Sequence, residues 1–301
     1  MKFGFLIDER VVTVRDVEVR PLPQYEGAIE EFYANFRVSR GWVLPHLEPA
    51  PMEPEERKRF KKKDGLKPRF PFDLPLTHDI QTESADPEKE KFLILAYGFL
   101  QGLYLLPESH IYLWQVPYKP GKLTGLIPLG KDYEDGLEQI SYIYDSQGID
   151  ESCQLFGIIH WFLVGQACQF LWDYFDAQYK VLDAIWKFSR LENVPHSKRP
   201  EKLAEHFGVS VPGWAQTYES DKGKTESRLS KLRNDLVHEA RFADAPLGYA
   251  LPEENFRLEF SAFNLKLICA LLGLETPYKQ VPLGDRGGLG AWDFGDGVPG
   301  N

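Results

Sequence analysis

Residues 151–188 read ESCQLFGIIHWFLVGQACQFLWDYFDAQYKVLDAIWKF, and the fold turns on this stretch. It holds no proline, and Phe170, Leu171, Tyr174, Phe175, Val181, Leu182 and Ile185 recur at helical spacings. One long helix or two abutting helices satisfy that pattern. Its middle, Leu155 to Trp172, carries no formal charge and reaches the minimum length of a bilayer span. His160, Gln166 and Gln169 interrupt it, however, no basic flank orients it, and it runs straight into an acidic amphipathic continuation. A buried bundle helix is therefore expected, and no membrane partner.

Three further helices are expected downstream. Lys198 to Phe207 is a short one stopped by Gly208. Thr225 to Arg241 sets Leu229, Leu232 and Leu236 on one stripe, and Glu253 to Leu272 carries Phe256, Phe260, Phe263, Leu267 and Leu271. Four helices with short connections make an antiparallel bundle. Upstream the signals are short and mixed. Phe3 to Ile7 and Val11 to Val19 read as strands, as do Ile111 to Val116 and Leu123 to Leu129, and Phe92 to Leu106 reads as a helix ended by Pro107. Val43 to Pro75 is proline-laden loop with a basic run, Arg57 to Lys63, which reads either as a contact for RNA or a partner or, given its flanking Glu53, Glu55, Glu56 and Asp64, as a solvated loop, the latter being favoured. The expected class is α+β: a mixed, β-containing N-terminal domain over 1–145, an all-α antiparallel bundle over 146–280, and a flexible glycine-rich tail over 281–301.

Composition narrows function. With 301 residues, 43% of them hydrophobic, the chain can bury a real core. A formal net charge of −10 excludes a whole-surface nucleic-acid binder, so any RNA contact must be local. Cys153, Cys168 and Cys269 are scattered among apolar residues and suggest neither a disulfide framework nor a zinc site. The apolar run of Met1 to Val12 is too short before Asp8, Glu9 and Arg10 for a secretory signal, so a cytoplasmic location is expected.

Chemistry concentrates in Arg233-Asn234-Asp235-Leu236-Val237-His238. The guanidinium is a permanent cation suited to phosphate, and an imidazole titrates near neutrality. Spacing alone does not select this pair. Arg40 with His46, Arg190 with His196 and Arg199 with His206 also have four to six residues between arginine and histidine. Arg40 is followed by Gly41 in an irregular stretch, Arg190 and His196 straddle a helix end at Asn193 and Pro195, and Arg199 is followed by Pro200. Only Arg233 has a polar follower, Asn234, within an amphipathic helix, where Asn234 and His238 face the same way. Lys224, Arg228 and Lys231 form a cationic strip beside them that suits an RNA backbone, or a solvated face paired with Glu226, Asp235 and Glu239. Asp176, Tyr179 and Asp183 share a face of the first helix; a carboxylate there either orients His238 or lies on that helix's exposed side.

The C-terminal half, about Glu151 to Leu272, resembles the HEPN superfamily through its long first helix, its terminal helix pair and Arg-Asn-x-x-x-His near the end of the third helix. The runs Gln178-Tyr179-Lys180-Val181-Leu182-Asp183, His196-Ser197-Lys198-Arg199 and Val211-Pro212-Gly213-Trp214 look like HEPN-like proteins of the ApeA and methylamine-utilisation (MauJ-like) type. The resemblance implies a metal-independent endoribonuclease without cofactor, a toxin or antiviral defence effector completed as a homodimer. Arg233 would hold the scissile phosphate, His238 would move a proton, Asn234 would orient either, and the N-terminal half would serve as sensor for a regulatory partner or ligand. A non-catalytic accessory protein using Arg233 and His238 structurally is the alternative. An enzyme acting on a small metabolite has no motif behind it. His160, among Ile158, Ile159, Trp161 and Phe162, reads as a hydrogen-bonded core residue. His196 and His206 lack metal-like companions, and Gly284 to Gly290 lacks the ending of a phosphate loop.

Overall fold

The computed structural model of the chain describes residues 1–36, 38–44, 74–107, 115–126, 131–221, 223–239, 241 and 257–274. Its class is α+β. The basic run 57–63, the tail from 284, His46, and parts of the expected elements at 111–116, 123–129 and 253–272 lie outside the described residues.

A four-stranded antiparallel sheet opens the chain, with β1 (Lys2–Phe3), β6 (His78–Thr82), β3 (Val17–Pro21) and β2 (Val12–Val14) side by side in that order. The expected strand Val11–Val19 is in fact a hairpin. Val12 faces Val19 and Val14 faces Val17 across a two-residue turn, Arg15-Asp16, so all four buried valines of the alternation share one face. Hairpin turns of this length usually announce themselves with glycine or asparagine. Here Arg15 itself adopts φ 44°, which hides the turn from sequence. β4 (Val38–Ser39), β5 (Trp42–Val43) and β7 (Val116–Pro117) make a second small sheet. The described part of the expected strand 123–129 is a turn whose Leu123 and Leu126 are buried.

Two helices went unforeseen. α1 (Tyr25–Asn35) follows β3, and α3 (Asp132–Ser146) buries Tyr133, Leu137 and Ile140 on one stripe that Gly136 interrupts. Between them α2 (Pro87–Gln101) begins earlier than expected because Asp86 caps it, accepting from the Glu88 amide at 3.0 Å, with Pro87 at the first position. It ends at Gly102, whose φ of 64° turns the chain where a Cβ would sit 2.5 Å from Gly121. Buried along most of its length, α2 packs on the sheet, on α3 and on α4 (Ile149–Ala167). Lys89, only 3% exposed, reaches Asp16 of the hairpin at 2.6 Å and Asp145 of α3 at 2.8 Å. Two carboxylates on one buried ammonium tie sheet, α2 and α3 together.

The 151–188 stretch is two helices. α4 breaks at Cys168, and α5 (Leu171–Phe188) folds back along it. Among the described residues no helix is long and apolar enough to cross a membrane. Gly165 sits where the two helices come closest: a Cβ there would lie 2.9 Å from Ala177 Cβ and 2.8 Å from Gln178 Nε2. α6 (Arg199–Phe207), α7 (Arg228–Glu239) and α8 (Arg257–Leu271) pack around α5. Phe260 stands 5.6 Å from Phe175 and 5.4 Å from Trp214, and Asn264 Nδ2 donates to Gln178 O and Oε1, both at 2.9 Å. The buried apolar side chains form one continuous cluster from Phe3 to Leu274. His160 of α4 is hydrogen-bonded to the Tyr104 hydroxyl at 2.7 Å.

Two predictions follow from this packing. Alanine is the better helix former, so at Gly157, with open space around its Cβ position, Gly157→Ala should stabilise by about 0.5–1 kcal/mol. Gly165→Ala should destabilise by about 1–3 kcal/mol through overpacking, and denaturant melts of both variants test the opposite signs. The second concerns His78, whose Nδ1 accepts from Thr77 Oγ1 at 2.9 Å and whose Nε2 donates to Asp8 O at 2.7 Å. Burial holds its pKa below the ordinary 6.5, so the unfolded chain takes the proton first. This contribution is complete above about pH 6.5 and is lost as pH falls. Thermal melts between pH 7.5 and 5 should therefore drop less steeply for His78→Gln than for wild type.

Candidate functional site

α7 starts at Arg228 because Ser227 and Ser230 cap it reciprocally: Ser230 N donates to Ser227 Oγ at 3.1 Å and Ser227 N to Ser230 Oγ at 2.8 Å. Thr225, expected inside the helix, instead pairs with Glu219 in a two-stranded hairpin of β8 (Tyr218–Glu219) and β9 (Thr225–Glu226). The helix buries Leu229 and half-buries Leu232 and Leu236, which rolls Arg233 to the edge facing α5.

There the guanidinium of Arg233 lies 5.7 Å over the Tyr179 ring. Its Nη1 donates to His238 Nε2 at 2.9 Å and to Asn234 Oδ1 at 3.2 Å. Accepting that bond makes His238 Nε2 the unprotonated nitrogen, with the proton on Nδ1. Asn234 and His238 are both exposed. The structure thus brings Arg233, Asn234 and His238 together on one helix.

Opposite them, α5 forms the wall of a cleft of about 260 Å³, lined by Phe175, Asp176, Tyr179, Lys180 and Asp183 together with Arg233 and Val237. Tyr179 is buried and its hydroxyl is pushed up to about 12, chiefly by burial and then by the charge of Asp183, so it stays neutral. Asp176 pairs with Lys180 at 2.6 Å, and Lys180 lies 4.4 Å over Trp161. Asp183 is held by Arg199 at 2.7 Å and stands 3.7 Å from His196 Nδ1. Neither carboxylate orients His238: each is engaged by cations on its own side of the cleft. Tyr179 meets Arg233 directly.

The cationic strip is split. Arg228 and Lys231 share the exposed side of α7, whereas Lys224 precedes the helix in the β8–β9 hairpin, so helical spacing does not align it with them. None of the three lines the cleft. His196 and Arg199, set aside in sequence because their nearest arginine and histidine companions lie in the wrong context, join the site through Asp183. No spacing signal reveals this, since Asp183 and Arg199 are 16 residues apart and on different helices. His196 is held below its ordinary pKa, first by burial, then by the positive charge of Arg199, with Asp183 opposing and Arg233 adding to the depression. Among the described residues no group of three or more His, Cys, Asp or Glu is placed to hold a metal. No family model, curated protein or solved structure matches the chain.

Because both members of the serine cap are buried, Ser227→Ala should cost about 1–2 kcal/mol. A melt shift much smaller than this would mean that α7, and with it Arg233, is positioned by packing alone.

Proposed function

We propose that the chain is a HEPN-type, metal-independent endoribonuclease that cleaves RNA by attack of the 2′-hydroxyl. The observation that carries this reading is the exposed Arg233–His238 pair, 2.9 Å apart with Asn234 beside it. A guanidinium that donates to an imidazole can exchange that acceptor for a phosphate oxygen, which leaves Nε2 free to take or deliver a proton. Arg233 then neutralises the charge that builds on phosphorus in the transition state. Attack by the 2′-oxygen expels the 5′-oxygen and leaves a 2′,3′-cyclic phosphate, so DNA is not cut. Arg228 and Lys231 supply positive charge on the helix that carries Arg233, and Lys224 adds to it in the hairpin before that helix, in a chain of net charge −10. In this reading α4, α5, α7 and α8 are the HEPN-like bundle, a homodimer is the working state, and the N-terminal half senses a trigger for a toxin or defence effector.

A second reading has one observation in its favour. Arg233 is already satisfied by Asn234, His238 and the Tyr179 ring, as a structural pair in a binding protein would be.

Incubating the purified full chain with mixed RNA in chelator separates the two. Wild type should yield fragments with cyclic phosphate ends, and Arg233→Ala and His238→Ala should each lower the rate by about 10²–10⁴-fold. If wild type stays inert across varied conditions, or if both variants cut equally well, the nuclease reading fails. RNA bound without cleavage, and less tightly by Arg233→Ala, would favour the binding protein.

A further inference from the structure

Cleavage by 2′-hydroxyl attack moves two protons, one off the 2′-oxygen and one onto the departing 5′-oxygen. His238 can handle one of them. The second acceptor or donor has to stand near the same phosphate, and therefore near Arg233.

His196 lies behind the cleft-lining Asp183, close enough for the charge of Arg233 to bear on it. It opens the 3-10 turn His196–Lys198, which packs against both α6 and α7. Its Nδ1 is 3.7 Å from Asp183 Oδ1, and Asp183 lines the same cleft as Arg233. Asp183 is in turn fixed by Arg199 at 2.7 Å, and the Arg199 guanidinium lies 5.7 Å over Trp186. At 3.7 Å this is a charge contact longer than a hydrogen bond, and a carboxylate so anchored favours the tautomer that turns Nδ1–H toward it, which leaves Nε2 as the basic nitrogen. The side chain of His196 is 46% exposed, so that nitrogen can be reached from solution. Two imidazoles from different elements therefore flank the cleft, His238 hydrogen-bonded directly to Arg233 and His196 beside the cleft-lining carboxylate of Asp183.

We infer that His196, positioned by Asp183 and Arg199, is the second acid–base group of the site, acting on RNA as the base that takes the 2′-hydroxyl proton while His238 delivers one to the 5′-oxygen. This rests on the ribonuclease reading above. In the step, His196 Nε2 accepts the 2′-O–H proton, the 2′-oxygen forms its bond to phosphorus, and the bond from phosphorus to the 5′-oxygen breaks. The leaving oxygen takes a proton from Nε2 of His238, which enters the step as the imidazolium and leaves it as the neutral ring, so the products are a 2′,3′-cyclic phosphate and a 5′-hydroxyl. One proton enters the enzyme and one leaves it. Burial first, and then the positive charges of Arg199 and Arg233, hold His196 below its ordinary pKa against the pull of Asp183, which favours the neutral form that a base must have. Arg233, committed to the phosphate, releases His238 for the opposite task. Asp183 is a positioning residue: it meets imidazole and guanidinium rather than substrate.

The test uses the full chain and two RNA substrates with one cleavable linkage each, one natural and one with sulfur replacing the bridging 5′-oxygen. A thiolate leaves without being protonated, so the sulfur substrate needs the base and dispenses with the acid. On the natural substrate, His196→Gln and His238→Gln should each lower kcat by about 10²–10⁴-fold with little change in KM. On the sulfur substrate, His238→Gln should recover to near wild-type rate and His196→Gln should stay slow. Asp183→Asn, which disturbs the base and leaves the acid intact, should lose about tenfold on both substrates and gain nothing from the sulfur. His196→Asn and thermal melts of all variants check that a slow enzyme is a folded one, and an RNA with a 2′-deoxy nucleotide at the scissile position should bind wild type and His196→Gln equally. If His196→Gln cuts the natural substrate at the wild-type rate while His238→Gln does not, the inference is overturned and the ribonuclease reading stands. Rescue of His196→Gln by sulfur overturns the assigned role as base. A wild type that cuts neither substrate overturns both readings together.

Discussion

The close approach of α4 and α5 at Gly165 is the constraint on which the rest of this molecule depends. With only a hydrogen at that position, Ala177 and Gln178 sit where any side chain would collide. α5 is thereby held against α4 along most of its length and still has two faces to give to other elements. One meets α8, where Asn264 binds both oxygens of Gln178 and fixes the register of the two helices. The other carries Phe175, Tyr179 and Asp183 at i, i+4 and i+8, one ridge aimed at the gap beside α7. The candidate site is that gap.

Electrostatics then sort the gap into compartments. The chain is acidic overall, yet each carboxylate of the cleft is engaged by a cation, Asp176 by Lys180 and Asp183 by Arg199. Exposed pairs such as the first contribute little stability. They matter because they leave the Arg233 guanidinium to Tyr179, Asn234 and His238, ligands a phosphate can displace. On the far side of α4, the Tyr104–His160 hydrogen bond and the continuous apolar cluster join this half of the chain to the sheet, where Lys89 ties the β2–β3 hairpin to α2 and α3.

Legibility in the sequence followed the physics of each signal. Helical periodicity located the segments of α4 to α8, because apolar spacing survives whatever the helix packs on. It misplaced ends that depend on single side chains: Asp86 starts α2 early, and the Ser227–Ser230 cap starts α7 late. Charge-rich α3 escaped because Gly136 interrupts its stripe. The turn between β2 and β3 escaped because Arg15 takes a left-handed conformation that its identity does not advertise. Arg233, Asn234 and His238 were legible as a group since one helix turn and a half carries all three. Lys224 was misplaced with the helix start.

The sequence by itself determined the α+β class and the grouping of Arg233, Asn234 and His238 on α7, because both are written in local order: periodicity over a dozen residues, and three polar side chains within six. Tertiary structure alone decided the surroundings of that group. His196, Asp183 and Arg199 come from the 3-10 turn, α5 and α6, and their nearness follows from how four elements pack around α5. Packing distances of that kind carry no periodic trace in the chain. For the same reason Asp176 and Asp183 shared a helical face in sequence but found different cations in space, and two dismissed residues, His196 and Arg199, came to stand around Asp183.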